Sequence, residues 1–103
     1  MKVIEVNNDN FKEEVLESNI KVLVDFNAEW CGPCKMLGPV LEQYAESHDN
    51  VKVVSINVDN NSDLAKEYNV FSIPCLVVIK DGKEINRSVG LISNSQIDEL
   101  IGE

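Results

Sequence analysis

The chain has 103 residues, 44% of them hydrophobic, which is enough for one compact core and too short for two domains of ordinary size; a single domain over 1–103 is expected. Nine Lys and Arg against eighteen Asp and Glu give a formal charge of −9, which repels phosphate backbones and anionic lipid and excludes nucleic acid as an expected partner. No apolar run approaches the roughly 18 to 20 residues of a membrane span, and "MKVIEVNNDN" lacks the apolar stretch and cleavage site of a signal peptide, so no membrane contact and a cytoplasmic location are expected.

In chain order, "KVIEV" (2–6) predicts a first strand. "DNFKEEVLES" predicts a helix that buries Phe11, Val15 and Leu16, with Asn8 or Asp9 as its cap. "KVLVDF" (21–26) is almost wholly apolar and β-branched, as in a strand covered on both faces, with Asp25 as the exception. From Pro33 to about Ser47, the apolar residues Leu37, Val40, Leu41, Tyr44 and Ala45 recur at helical spacing, with Pro39 inside the helix as a source of a kink. "VKVVSINV" (51–58) predicts another strand and "SDLAKEYN" (62–69) a short helix. "CLVVI" and "EINRSVG" are joined by "KDGK", whose Asp-Gly is a tight-turn signal for an antiparallel hairpin, and "NSQIDELIG" closes the chain with a helix. The order β-α-β-α-β-α-β-β-α reads as a three-layer α/β/α sandwich, parallel in its first half and antiparallel at its end.

Chemistry concentrates in "AEWCGPCK". Three cysteines cannot all pair within one chain, and a Cys-x-x-Cys in a reducing compartment points to catalysis or metal binding. A strand, a short loop and a helix opening at "CGPC" place Cys31 at the helix N-terminus, where unpaired N–H groups and the positive dipole end favour a thiolate, so Cys31 is expected to be the nucleophile. Cys34 lies one turn on, within bonding reach, and is expected to be the less accessible, resolving thiol. Gly32 permits the turn; Pro33 supplies a helical φ and withholds an N–H that needs no partner there. Asp25 in a buried strand is expected to hold its proton to higher pH than an exposed carboxyl.

"VLVDFNAEWCGPCK" resembles the active-site segment of the thioredoxin family, and the similarity continues through "SINVDNN", "YNVFSIPCLVVIKDGK" and "VG". The resemblance implies the thioredoxin fold, with a central five-stranded mixed sheet and four flanking helices. It also implies reduction of protein disulfides by reversible Cys31–Cys34 exchange, re-reduction by a thioredoxin reductase, and no bound cofactor. A monomer is expected. By the same resemblance Asp25 assists proton transfer at Cys34, Pro74 is cis against the cysteine pair, and Trp30, Gly32, Pro33, Ile73, Pro74 and Gly90 form the groove for an extended target.

Three positions depart from the family's usual residues. Asn27 replaces a frequent aromatic, which predicts a thinner shield beside the site, and Ser55 replaces a frequent Lys, which removes a charge that would favour ionised Asp25. Cys75 stands where Thr is usual and reads as a buried, inert thiol. Two rival functions remain beside the reductase. One is a redox-inert binding adaptor of the same fold. The other is a metal site drawn from Cys31, Cys34, Cys75 and His48, in which His48 lies too far down the helix to share a tetrahedron with Cys34.

Overall fold

The computed structural model describes residues 1–102. Strands β1 (Ile4–Glu5), β2 (Lys21–Asn27), β3 (Val51–Asn57), β4 (Cys75–Lys80) and β5 (Lys83–Val89) form one sheet in the order β1-β3-β2-β4-β5. Strands β1 and β2 run parallel to β3, whereas β4 runs antiparallel to β2 and to β5. Helices α1 (Gly32–Ser47), α2 (Ser62–Glu67) and α3 (Asn94–Ile101), together with a π-helical segment at Lys12–Leu16, make the four helical elements among the described residues. None of them is long and apolar enough to cross a membrane.

The apolar run in β2 has its physical explanation in two separate cores. Val22, Val24 and Phe26 project into one, with Val54, Ile56, Cys75, Val77 and Ile79 from the neighbouring strands, and Phe11, Val15 and Leu64 cover them from the π-helical segment and α2. Leu23 projects into the other with Val51, Val53, Leu76 and Val78, beneath Leu37, Leu41, Tyr44 and Ala45 of α1 and Ile97 and Ile101 of α3. Because side chains alternate along a strand, both faces of a central strand must be apolar when helices cover both. The layers are therefore helix, sheet, helix.

Local chemistry sets the element ends. Asp81 (φ 52°) and Gly82 (φ 78°) both occupy the left-handed region at the β4–β5 turn, the backbone that an Asp-Gly hairpin turn requires. The register then slips between Val78 and Ile79, which pair with Asn86 and Glu84 and leave Ile85 as the extra residue of a bulge. Helix α3 opens with a reciprocal cap: Ser93 Oγ accepts the Gln96 N–H at 3.3 Å, and Gln96 Oε1 accepts the Ser93 N–H at 2.9 Å.

The first helix differs from the expected one. Its last bond runs from the Glu17 N–H to the Lys12 carbonyl (3.0 Å), a five-residue spacing, and it has no side-chain cap from Asn8 or Asp9. Asn7 takes the polar role one position earlier, where its Oδ1 accepts the N–H groups of Asp9 (2.8 Å) and Asn10 (3.2 Å). Strand β1 spans Ile4–Glu5 rather than the expected 2–6, although the Val6 N–H still bonds to the Ser55 carbonyl at 2.9 Å. Phe11 and Val15 are buried as expected, while Leu16 is half-buried. Helix α1 continues through Pro39 to Ser47.

Candidate active site

Strand β2 ends at Asn27 and the chain turns at once, with the Cys31 N–H bonded to the Ala28 carbonyl (3.3 Å), before α1 begins at Gly32. Cys31 is the N-cap: its backbone is extended (φ −89°, ψ 111°), and its Sγ accepts the Cys34 N–H at 3.2 Å. A sulfur in this position receives one of the helix's unpaired donors and the positive end of its dipole, which stabilises a thiolate. Pro33 occupies the first turn, where its missing N–H costs nothing. The Sγ atoms of Cys31 and Cys34 are joined as a disulfide, with Cα atoms 5.3 Å apart.

Exposure does not separate the two cysteines as expected: Cys31 is 5% and Cys34 6% exposed. The bonded sulfurs are packed with Ala28, Val58 and Ile73, and this cluster shields both alike. Their surroundings make them unequal. Cys31 Sγ takes the Cys34 N–H and lies 3.8 Å from the Ile73 carbonyl oxygen, while Cys34 lines a cleft of about 290 Å³ that it shares with Asp25, Asn27 and Ser55.

Asp25 is 4% exposed, and its Oδ1 has no hydrogen-bond partner. Burial pushes its carboxyl up to about 7; the Asn27 hydrogen bond opposes this and the nearby Glu5 charge adds to it. Asn27, read from the sequence as a lost aromatic, is a hydrogen-bond donor here, and Ser55, read as a lost cation, is its partner. The Asn27 Nδ2 group lies 2.8 Å from Ser55 Oγ, 3.1 Å from Asp25 Oδ2 and 3.1 Å from the Asp25 carbonyl oxygen. The polar role was missed because it depends on the pairing of β2 with β3, which sets Asp25 opposite Ser55.

The Ile73-Pro74 peptide bond is cis. Pro74 presents its carbonyl to the Gly90 N–H (2.8 Å), tying the two backbone segments of the expected groove together. Gly90 has φ 101°, and a side chain there would point into open space, so the residue is required by backbone conformation rather than by crowding within the chain. Gly32 and Pro33 are exposed beside the cysteines. Trp30 is 70% exposed, and its Nε1–H donates to Asp59 Oδ2 at 2.9 Å; it stands out from the site rather than packing over it. Phe71, two residues before Ile73, is 91% exposed and was missed, because an aromatic in a loop carries no periodic signal of which way it faces.

Cys75 belongs to the other face of the sheet, fully buried among Phe26, Val77 and Ile79, and burial pushes its thiol up. His48 stacks on Tyr44 with ring centroids 3.8 Å apart at the far end of α1. Among the described residues, no three His, Cys, Asp or Glu side chains are grouped as metal ligands would be.

A five-stranded mixed sheet between helices, with a Cys-x-x-Cys disulfide capping a helix beside a cis-proline, defines a thiol–disulfide oxidoreductase of the thioredoxin-fold class. The family model described as Thioredoxin matches residues 2–103. The chain is 43% identical over 103 residues to a thioredoxin of Chlorobaculum thiosulfatiphilum, covering 99% of this chain and 95% of that one. It is 46% identical over 93 residues to thioredoxin 1 of Synechococcus elongatus, covering 89% and 87%, and 45% identical over 99 residues to a thioredoxin of Rickettsia felis, covering 95% and 94%. The chain belongs to the thioredoxin family and is an oxidoreductase acting on protein disulfides. Disulfide-containing proteins are its substrates, and a reductase returns its electrons.

Proposed function

We propose that the 103 residues act as one cytoplasmic, monomeric domain that reduces protein disulfides in two exchanges without a bound cofactor. The reduced Cys31 thiolate attacks one sulfur of a target disulfide; that bond breaks, the other target sulfur leaves as a thiolate, and a mixed disulfide remains on Cys31. Cys34 then passes its proton to the Asp25 carboxylate and attacks Cys31 Sγ, closing Cys31–Cys34 and releasing the second target sulfur as a thiolate. The target gains two electrons and the chain loses two, which thioredoxin reductase restores.

The observation that carries this reading is Cys31 Sγ at the N-cap, accepting the Cys34 N–H. It favours the thiolate at Cys31, while Cys34 shares its cleft with the buried Asp25 that takes its proton. The target segment lies along the backbone at Ile73, Pro74 and Gly90, flanked by Gly32, Pro33 and Trp30, and pairs with main-chain groups there. In a test with a model protein disulfide, Cys31→Ser should abolish reduction, and Cys34→Ser should accumulate a mixed disulfide visible by non-reducing electrophoresis. Normal turnover by either variant would sink the assignment.

A further inference from the structure

Asp25 and Asn27 lie two residues apart on β2 and so project to the same face, and the parallel register brings Ser55 of β3 beside Asp25 on that face. The Asn27 side-chain atom that meets them must be the amide nitrogen, because a backbone carbonyl and a carboxylate only accept. Its two hydrogens divide among three acceptors: Ser55 Oγ at 2.8 Å takes one, while Asp25 Oδ2 and the Asp25 carbonyl, both at 3.1 Å, share the other. One oxygen of the carboxyl is thereby occupied by a donor. The other, Oδ1, is buried with no partner. A proton on Oδ2 would compete with the Asn27 N–H for the same lone pairs, so the protonated carboxyl carries its hydrogen on Oδ1.

We propose that Asn27 is the positioning residue of the second exchange: anchored on Ser55 Oγ, its amide holds Asp25 Oδ2 and assigns to Oδ1 the proton that Cys34 gives up. The proposal rests on the reading of Asp25 as proton acceptor for Cys34. Bond for bond, the Cys34 S–H breaks, an O–H forms at Oδ1, and the freed sulfur electron pair makes the bond to Cys31 Sγ as the target thiolate leaves.

The cleft around Asp25 also presents Glu5 of β1, Glu29 of the turn, and Cys34, Lys35 and Glu42 of α1. Glu5 disfavours the charged carboxylate, as burial does, whereas the Asn27 hydrogen bond favours it. Asn27, anchored on Ser55, thus supplies the support for ionised Asp25 in place of the cation that Ser55 replaces, and does so with direction as well as strength.

The test uses Asn27→Leu, which keeps the size but removes the donor, and Ser55→Ala, which keeps the donor but removes its anchor. Asp25 is titrated by carboxyl-carbon NMR in the oxidised protein, and the rate of closure of a preformed mixed disulfide is followed against pH. With Asn27→Leu, the Asp25 midpoint should move to higher pH and the closure rate at pH 7 should fall about tenfold, with the rate at high pH retained. Ser55→Ala should move both in the same direction by a smaller amount. An Asp25 midpoint unchanged in a folded variant, or a loss of rate equal at every pH, would overturn the proposal. Should Asn27→Leu not fold, Ser55→Ala decides by the same readings. Absence of reductase activity in the unaltered protein would instead refute the reading of Asp25 as proton acceptor, and the NMR midpoint would still decide whether Asn27 holds the carboxyl.

Discussion

Asp25 and Cys75 are two ionisable groups on adjacent strands, both shut away from solvent, yet they occupy different chemical worlds. In the antiparallel register Phe26 faces Cys75 and Asp25 faces Leu76, a difference of one residue. That single step places Asp25 beneath α1, in a cleft shared with Cys34, and sends Cys75 into the opposite core under Phe11 and Leu64. Cys75 is enclosed by apolar side chains, where a thiol behaves as a small hydrophobe. Asp25 keeps an unpartnered oxygen and a carboxyl that burial pushes up to about 7, in keeping with the proton exchange proposed for it. In a sheet covered on both faces, parity along the strand decides which buried groups reach the cleft beside Cys34 and which face the opposite core.

Asp25→Asn should give the largest change in stability. The folded-state pKa of Asp25, about 7, lies above the ordinary carboxyl value of 3.8, so the carboxyl supports the fold below about pH 4 and loses that support as pH rises through about 7. Relief of the buried charge should make Asp25→Asn more stable than the unaltered oxidised protein by up to about 4 kcal/mol above pH 7. Denaturation in urea across pH 4 to 9 should show the gap opening with pH; a gap of constant size would place Asp25 on the same inert footing as Cys75.

Cys75→Ala probes the other side of the comparison. Removing a buried sulfur from an apolar core should cost about 1 kcal/mol, while disulfide reduction stays within about twofold of the unaltered rate. In the native reduced protein this thiol should react with a disulfide reagent far more slowly than Cys31. A marked loss of reductase activity in folded Cys75→Ala would tie both faces of the sheet to the reaction. The smallest effect is expected of Asp59→Ala, which deletes the acceptor for Trp30: less than about 1 kcal/mol of stability, with a shift in the Trp30 emission spectrum.

Much of the fold is legible in local patterns. The apolar run 21–26, the Asp-Gly turn and the helical stripes of Leu37, Leu41 and Ile97 announce the sandwich, because periodicity and turn chemistry are local properties. The cysteine pair at a strand-to-helix junction is legible for the same reason. The π-type spacing at Lys12–Leu16 is not, since a helical stripe over one turn cannot distinguish four residues from five. Nor is the partnership of Asn27 with Ser55, 28 positions away, which exists only once β2 and β3 are in register. Asn27 and Ser55 each read as a missing residue when taken alone; together they are a hydrogen-bond system. The expected difference in cysteine exposure failed because closing the disulfide packs both sulfurs into one cluster.

The sheet's two outer strands are each ill-suited to recruiting a neighbour. An open edge offers unpaired N–H and C=O groups to any extended chain and is the usual starting point for lateral aggregation. At one side β1 is only two residues long, too short to template a ladder. At the other, β5 carries Lys83, Glu84 and Arg87 and is bent by the bulge at Ile85, while the Arg87 guanidinium is clamped by Glu84 and by the Tyr68 carbonyl at 2.7 Å. Short length on one flank and charge with curvature on the other leave a protein whose substrates are disulfide-containing chains without a flank that invites them to pair.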